Sequence, residues 1–499
     1  MGLQFQSSTC RCLEAAIREV QNAELTQEVR LSDGMPDIGR VLTTWGQVIL
    51  RSKEWQGNQI TVSGGIMTWT LYAPEDGTPP RCLDAWVPFQ LKWGLETMGD
   101  DGKVRVYPLL RFIDSRSISS RKIMIRAGVA AMAEALQPMQ VQIYEPGQLP
   151  EDIQILNNIY PVRLPKETGE KSFLLDEDLK IPTGTAVPER LLAYMITPQL
   201  QEKRVAGDKV ILRGSGKLRV IYRCAEGKIH AAELELPIAQ YAQLENTYDS
   251  DAVCDVMMGV TAVELAQNDG PELRIRCGLV AQYVITDRHL IKVAEDAYST
   301  KREIGLSIEK LKLPAILEQR VEQIQVHQQV PYGGADVVDI NFLPDFPRQN
   351  RSVDNVSMEI PGQFQVLYYA PDGILQGAAC RWEGNLQLPA DGDSALDCLV
   401  RMPETIQVAC GMEEMHLNCL IKMEITVQSQ AGIQMISGLE MGQLETAAPE
   451  RPSLILRRSN GESLWNMAKR CGSTVDGIMQ LNHLKEEPAD NQMLLIPVS

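Results

Sequence analysis

The chain contains no run of about 18 apolar residues, the length a membrane-spanning helix needs. Residues 1–7 also lack a charged stretch followed by an apolar one. No transmembrane segment and no secretory leader are expected, and the protein is expected to stay in a cytoplasm. Positive charge is scarce: 48 Lys and Arg face 65 Asp and Glu, a net charge of −17, and no basic cluster exceeds two residues. Nucleic acid and anionic membranes are disfavoured as partners, because gripping a phosphate backbone takes clustered Lys and Arg that displace counterions. The eleven cysteines are scattered, with only Cys10 and Cys12 close together, so neither a disulfide framework nor a Cys-x-x-Cys metal spacing is present. Free thiols in a reducing compartment are expected.

Catalytic patterns are missing as well. The five histidines, His230, His289, His327, His416 and His483, are dispersed, and none has a metal-ligand spacing. Arg213-Gly214-Ser215-Gly216-Lys217 fails the spacing of a phosphate loop. No carboxylate pair suggests an acid/base couple, and the acidic Asp176-Glu177-Asp178 reads as a solvated loop. No cofactor, no metal and no enzymatic activity are expected.

What is present is repetition. With 499 residues and 44% hydrophobic content the chain can form three to four domains of about 150 residues. Turns at Ser32-Asp33-Gly34, Pro182-Thr183-Gly184 and Pro331-Tyr332-Gly333 place their glycines 150 and then 149 residues apart. Each is followed by a Gly-led strand that ends in Tyr and a tight turn: Gly65 to Tyr72, Gly216 to Tyr222 and Gly362 to Tyr368, with Glu-Asp-Gly77, Glu-Gly227 and Asp-Gly373 supplying the reversal. Alternation such as Leu218, Val220, Tyr222 puts apolar side chains on one strand face. Short strands with turns every ten residues or so predict a mainly β fold of three tandem antiparallel β-sandwich-like modules. The tyrosines are expected to fill module cores.

Two segments compete with that pattern. Leu13, Ala16, Ile17 and Val20 share a helical face, and an amphipathic N-terminal helix is expected over residues 1–24. Residues 121–136 are Ala-rich, yet the alternation at Ile123 and Ile125 favours a strand.

The last 47 residues carry the most specific signal. An apolar strand at 454–456 leads to Gly461-Glu462-Ser463-Leu464-Trp465, where Ser463 can cap a helix carrying Leu464, Met467 and Ala468. A second helix with Val475, Ile478 and Met479 follows, then Asn482-His483-Leu484 and a closing strand that ends Ile496-Pro497. This small β-α-α-β module resembles LysM, with Asn491 where a Gly is usual in the turn before the last strand. The repeat resembles the SPOCS domain (DUF3794), best in the second copy through Lys209 to Gly214, Val220-Ile221-Tyr222, Leu236-Pro237 and Glu295-Asp296-Ala297-Tyr298-Ser299. The last of these elements is absent from the third copy.

The expected organisation is an N-terminal helix (1–24), SPOCS-like modules at 25–150, 151–302 and 303–443, a linker at 444–452 and a LysM domain at 453–499. The resemblance implies a spore-coat morphogenetic protein of the SipL and SpoVID type from an endospore-forming Firmicute. Such a protein acts as a scaffold in the mother-cell cytoplasm, at the forespore surface and in the spore coat. Its implied partners are coat morphogenetic proteins, among them the coat basement scaffold ATPase. The family's two groove loops map onto Gly461, Glu462, Ser463 and Leu464, and onto Asn482, His483 and Leu484. The alternative reading is a protein of the cell wall or spore cortex that binds peptidoglycan, through N-acetylglucosamine or a chitin-type glycan.

Overall fold

Strands dominate the computed structural model, which describes residues 2–3, 5–96, 102–268, 270–331, 336–352, 355–389, 394–411, 413–429, 431–443 and 453–498. The linker at 444–452 and the turn residues Tyr332 and Gly333 lie outside the described residues.

Each repeat contributes a long antiparallel ribbon and a second, shorter sheet. The ribbons are Phe5–Arg30 with Lys122–Pro146, Ile153–Lys180 with Glu272–Ser299, and a broken third pair. In that third pair Ile304–Lys312 joins Gly432–Met441, and Ile316–Pro331 joins Glu414–Ser429. The second sheets are Ile38–Gln56, Gln59–Pro74 and Arg81–Gly94; Pro188–Cys224 with Ile229–Tyr248; and Asp336–Pro344, Asn355–Tyr369 and Leu375–Pro389. The 37-residue segment Pro188–Cys224 cannot be one straight strand. Gly214 lies against the Gln199 carbonyl, leaving no room for a Cβ, although an extended chain would hold them about 50 Å apart. The segment therefore doubles back, and Gly207 at φ +63° supplies the left-handed residue that the turn needs.

Inside each repeat the two sheets enclose apolar side chains: Ile60, Val62 and Ile66 with Val106, Ile123 and Ile125 in the first, and Val210, Leu218 and Val220 with Ile275, Leu279 and Ile285 in the second. Tyr72 and Tyr222 are fully buried and Tyr368 nearly so, as expected of core aromatics. Positive φ at Gly77, Gly227 and Gly373 bears out the hairpin turns.

The expected N-terminal helix is corrected. Phe5–Arg30 is a strand, paired along its whole length with Lys122–Pro146. A bulge between Ala15 and Ile17 inserts one residue, so that both Ala16 and Ile17 pack on the core. This gives a period-two strand the look of helical spacing. Its partner bears out the strand expected at 121–136. The acidic triplet is also corrected: Asp176 and Asp178 stand in Ile153–Lys180 and pair across the ribbon with Arg274 and Arg276.

The repeats are not separate beads. One cluster joins Trp45 and Leu71, Leu192 and Ile221, and Leu367 and Leu375, two from each repeat. Another joins Tyr107 and Met132, Met257, and Phe346 and Leu399, and a third binds the ribbons through Ile143, Leu164, Ile291 and Met435. Fully burying one such side chain contributes about 1.5–3 kcal/mol, so the shared clusters hold the repeats strongly. An alternating chain of charges crosses the same junction. Asp397 meets Arg18 at 3.2 Å, Arg18 meets Glu134, Glu134 meets Arg105, and Arg105 meets Asp255 at 2.9 Å. Lys203 then links Asp255 to Glu424, which Arg401 holds at 2.7 Å. Because this chain enters and leaves through the third repeat, it ties all three together.

Candidate functional site

The last 46 described residues, 453–498, form a compact unit with the order strand Leu454–Arg458, helix Leu464–Cys471 (α1), helix Val475–Leu481 (α2) and strand Met493–Pro497. Ser463 caps α1 by accepting the Asn466 N–H at 3.3 Å, and Gly472 ends it at φ +62°. Thr474 caps α2 through Gly477 at 3.0 Å. Leu464, Met467, Ala468, Ile478, Leu494 and Ile496 form the interior. Asn491 takes φ +63°, the left-handed turn position.

The first candidate loop is anchored by a residue that the sequence had not singled out. The Leu464 N–H donates to Glu487 Oε2 at 2.9 Å, and Ser459 binds Ala489 and Gln492 beside it. Within the first loop Gly461 is exposed at φ +72°, Glu462 pairs with Arg470, and Leu464 is buried. In the second, His483 is exposed at φ +54° and Leu484 packs on the interior. The Asn482 amide is engaged in the fold. Its Nδ2 donates to the Ile478 and Leu495 carbonyls at 2.8 and 2.6 Å, and its Oδ1 accepts the Leu495 N–H at 2.8 Å. It pins the end of α2 to the closing strand. Gly461 and His483 are the exposed members of the two loops, while Glu462 is half-buried against Arg470.

A second contact face lies on α1, where Trp465 and Lys469 share a side of the helix. The Trp465 indole N–H donates to Asp296 Oδ2 at 2.8 Å, and Lys469 Nζ lies 2.8 Å from both Asp296 oxygens. Tyr298 sets its ring edge-on to Trp465 with centroids 4.9 Å apart, and its hydroxyl donates to the Ser473 carbonyl at 2.8 Å. Burial acts to raise the Asp296 pKa, yet the hydrogen bonds from Lys469 and Trp465 outweigh it and hold the carboxyl below its ordinary range. Burial, together with the Asp296 charge, pushes the Tyr298 phenol up to about 12. Trp465 thus docks this terminal unit on the second ribbon. Asp296 and Tyr298 belong to the element that the third copy lacks, and this break in the repeat was the available sign of a dedicated contact.

Residues 188–267 match the family described as SipL, SPOCS domain. The match falls on the second sheet of the second repeat and the neighbouring strand Val253–Gln267. No curated protein and no solved structure matches the chain. Among the described residues no helix is long and apolar enough to cross a membrane, and no group of three or more His, Cys, Asp or Glu is placed to hold a metal ion.

Proposed function

We propose that this chain is a non-enzymatic scaffold for assembly of the endospore coat, made in the mother cell and placed at the forespore surface. The observation that carries this reading is the SipL, SPOCS match in one of three repeats. We read the repeats as sandwich-like SPOCS modules and residues 453–499 as a LysM domain. In this reading the two loops, with Gly461 and His483 exposed and Glu462 half-buried, dock on a coat-basement partner, and the fused repeats offer a broad surface for recruiting coat proteins. The seat of the terminal unit on Asp296 and Tyr298 supports the reading, since it presents these loops in one orientation relative to the repeats.

The test is a pull-down from sporulating cells using the intact chain and a chain lacking residues 453–499. Coat morphogenetic proteins recovered by the intact chain and reduced by the deletion support the scaffold. Recovery of none by the intact chain counts against it. Sedimentation of the intact chain with purified peptidoglycan, competed by soluble chitin fragments, would favour the glycan reading instead.

A further inference from the structure

Two arginines on the outer face of the second ribbon stand directly opposite each other: Arg163 on Ile153–Lys180 pairs in register with Arg288 on Glu272–Ser299, and both are exposed. Like charges facing each other across a strand pair are destabilising. The next rung on this face holds Pro161 and Leu290, and the one after it Ile159 and Lys292, all exposed. Among the described residues no acid pairs with the side chain of Arg163, Arg288 or Lys292. Ile159 and Leu290 are 61% and 60% exposed, so the face shows water a strip that reads charge, apolar, charge. The inner face is ordinary core, where Tyr160, Val162 and Leu164 pack with Ile291 and Val293.

The first ribbon supplies the comparison. It has the same register and the same bulge, with Ala16 inserted where the second ribbon inserts Lys166. Its corresponding rungs are Leu13 with Pro138, Arg11 with Gln140 and Thr9 with Gln142. One cation stands there in place of three, and no like charges meet. The opposed arginines are therefore a departure of the second ribbon and not a requirement of the ribbon fold. They come from strands far apart in the sequence, so no linear basic cluster announces them.

We propose that this face binds an extended acidic segment of a partner protein, with two carboxylates four residues apart and an apolar side chain midway between them. Residues i, i+2 and i+4 of an extended segment share one face, and their ends lie about 13 Å apart, as do rungs two steps apart on the ribbon. One carboxylate settles between Arg163 and Arg288, whose planar forks suit its oxygens and whose repulsion it relieves. The apolar side chain covers Pro161 and Leu290 beside Ile159, and the second carboxylate meets Lys292. An anionic bilayer or a second copy of the chain would face the whole net charge of −17, whereas a short segment meets the local field, within a Debye length of about 8 Å. The argument uses the ribbon alone, so its failure would leave the coat reading standing.

Saturation-transfer NMR on the full chain with the peptide acetyl-Glu-Thr-Leu-Thr-Glu-amide tests it. Saturable binding with Kd below about 1 mM is expected at low salt, with the strongest transfer at the Leu methyls and weaker binding at about 0.2 M salt. Arg163→Glu with Arg288→Glu should weaken binding at least about tenfold. Lys180→Glu with Lys228→Glu makes the same change in net charge at exposed sites off this strip and should bind as the unaltered chain does. All these side chains are exposed, and circular dichroism confirms that the variants are folded. Absence of saturable binding to the folded chain, or equal binding by the two double variants, overturns the proposal. Sedimentation of the unaltered chain with vesicles of phosphatidylglycerol and phosphatidylcholine, or its self-association, abolished by the arginine reversal, would assign the face to lipid or to a second copy and equally overturn it.

Discussion

Replacing Asp296 with Ala removes the one acceptor shared by Trp465 and Lys469 while leaving both helices of the terminal unit untouched. A hydrogen bond to a charged acceptor contributes about 1.5–3 kcal/mol, and the half-buried indole bond belongs near the lower value. Lys469 has 43% of its side chain exposed, and solvent screening holds its share below about 1 kcal/mol. The sum, about 2 kcal/mol, lowers the ratio of docked to released units about 30-fold. The Tyr298 ring contact and its hydroxyl bond to Ser473 remain, each contributing about 1 kcal/mol. Asp296→Ala is therefore expected to loosen the unit and Asp296→Ala with Tyr298→Ala to release it. The assay is the indole N–H spectrum of the nitrogen-15-labelled chain, with Trp465 assigned by its loss in Trp465→Phe. The Trp465 resonance should move part of the way in the single variant and fully in the double. The contribution of Asp296 is present above the ordinary carboxylate range near about 4. Because its folded pKa is depressed, that contribution is lost as pH falls through the folded value. A Trp465 resonance that does not move in the double variant would refute docking in solution.

Asn482→Ala should destabilise the terminal unit by about 2 kcal/mol by freeing three hydrogen bonds to Ile478 and Leu495, seen as a lower unfolding midpoint for that unit alone. Arg105→Ala leaves Glu134 with Arg18 alone and Asp255 with Lys203 alone at the repeat junction, and should cost about 3 kcal/mol in denaturant unfolding. In the unaltered chain burial works to raise both carboxyl pKa values, but Arg105 outweighs it and depresses them. Their stabilisation is therefore present above the ordinary carboxylate range and lost on acidification, so the midpoint should fall below about pH 4. Burial holds Asp397 above its ordinary range despite Arg18, which offsets part of that dependence. Thiol labelling of the native chain should begin at the exposed Cys410, while Cys254, Cys277 and Cys398, which burial pushes up to about 12, react only on unfolding; fast native labelling of those three would contradict the packing.

Local chemistry made much of this fold legible in the sequence. The turn glycines, the Tyr-ended strands, the Ser463 cap and the left-handed Asn491 each follow from the residue and its neighbours, and each was expected before the structure. Features set by tertiary partners were not legible. Ala16 and Ile17 suggested a helix because a bulge, specified by the opposite strand Lys122–Pro146, shifts the alternation by one residue. The joining of repeats through Trp45, Ile221 and Leu367 was hidden because residues facing a sister repeat look like ordinary core positions within their own. In the candidate site, the position of the first loop was readable, whereas Asn482 gave no hint that its amide is committed to Leu495, nor Glu487 that it reaches Leu464.

The scaffold reading rests on the terminal unit bringing the repeats to the forespore. The most direct measurement is the location, in sporulating cells, of a fluorescently tagged chain truncated after Gln443, beside the full chain. The account predicts that the truncated chain keeps its β structure by circular dichroism but spreads through the mother cell, whereas the full chain outlines the forespore. Normal forespore localisation of the truncated chain would contradict it.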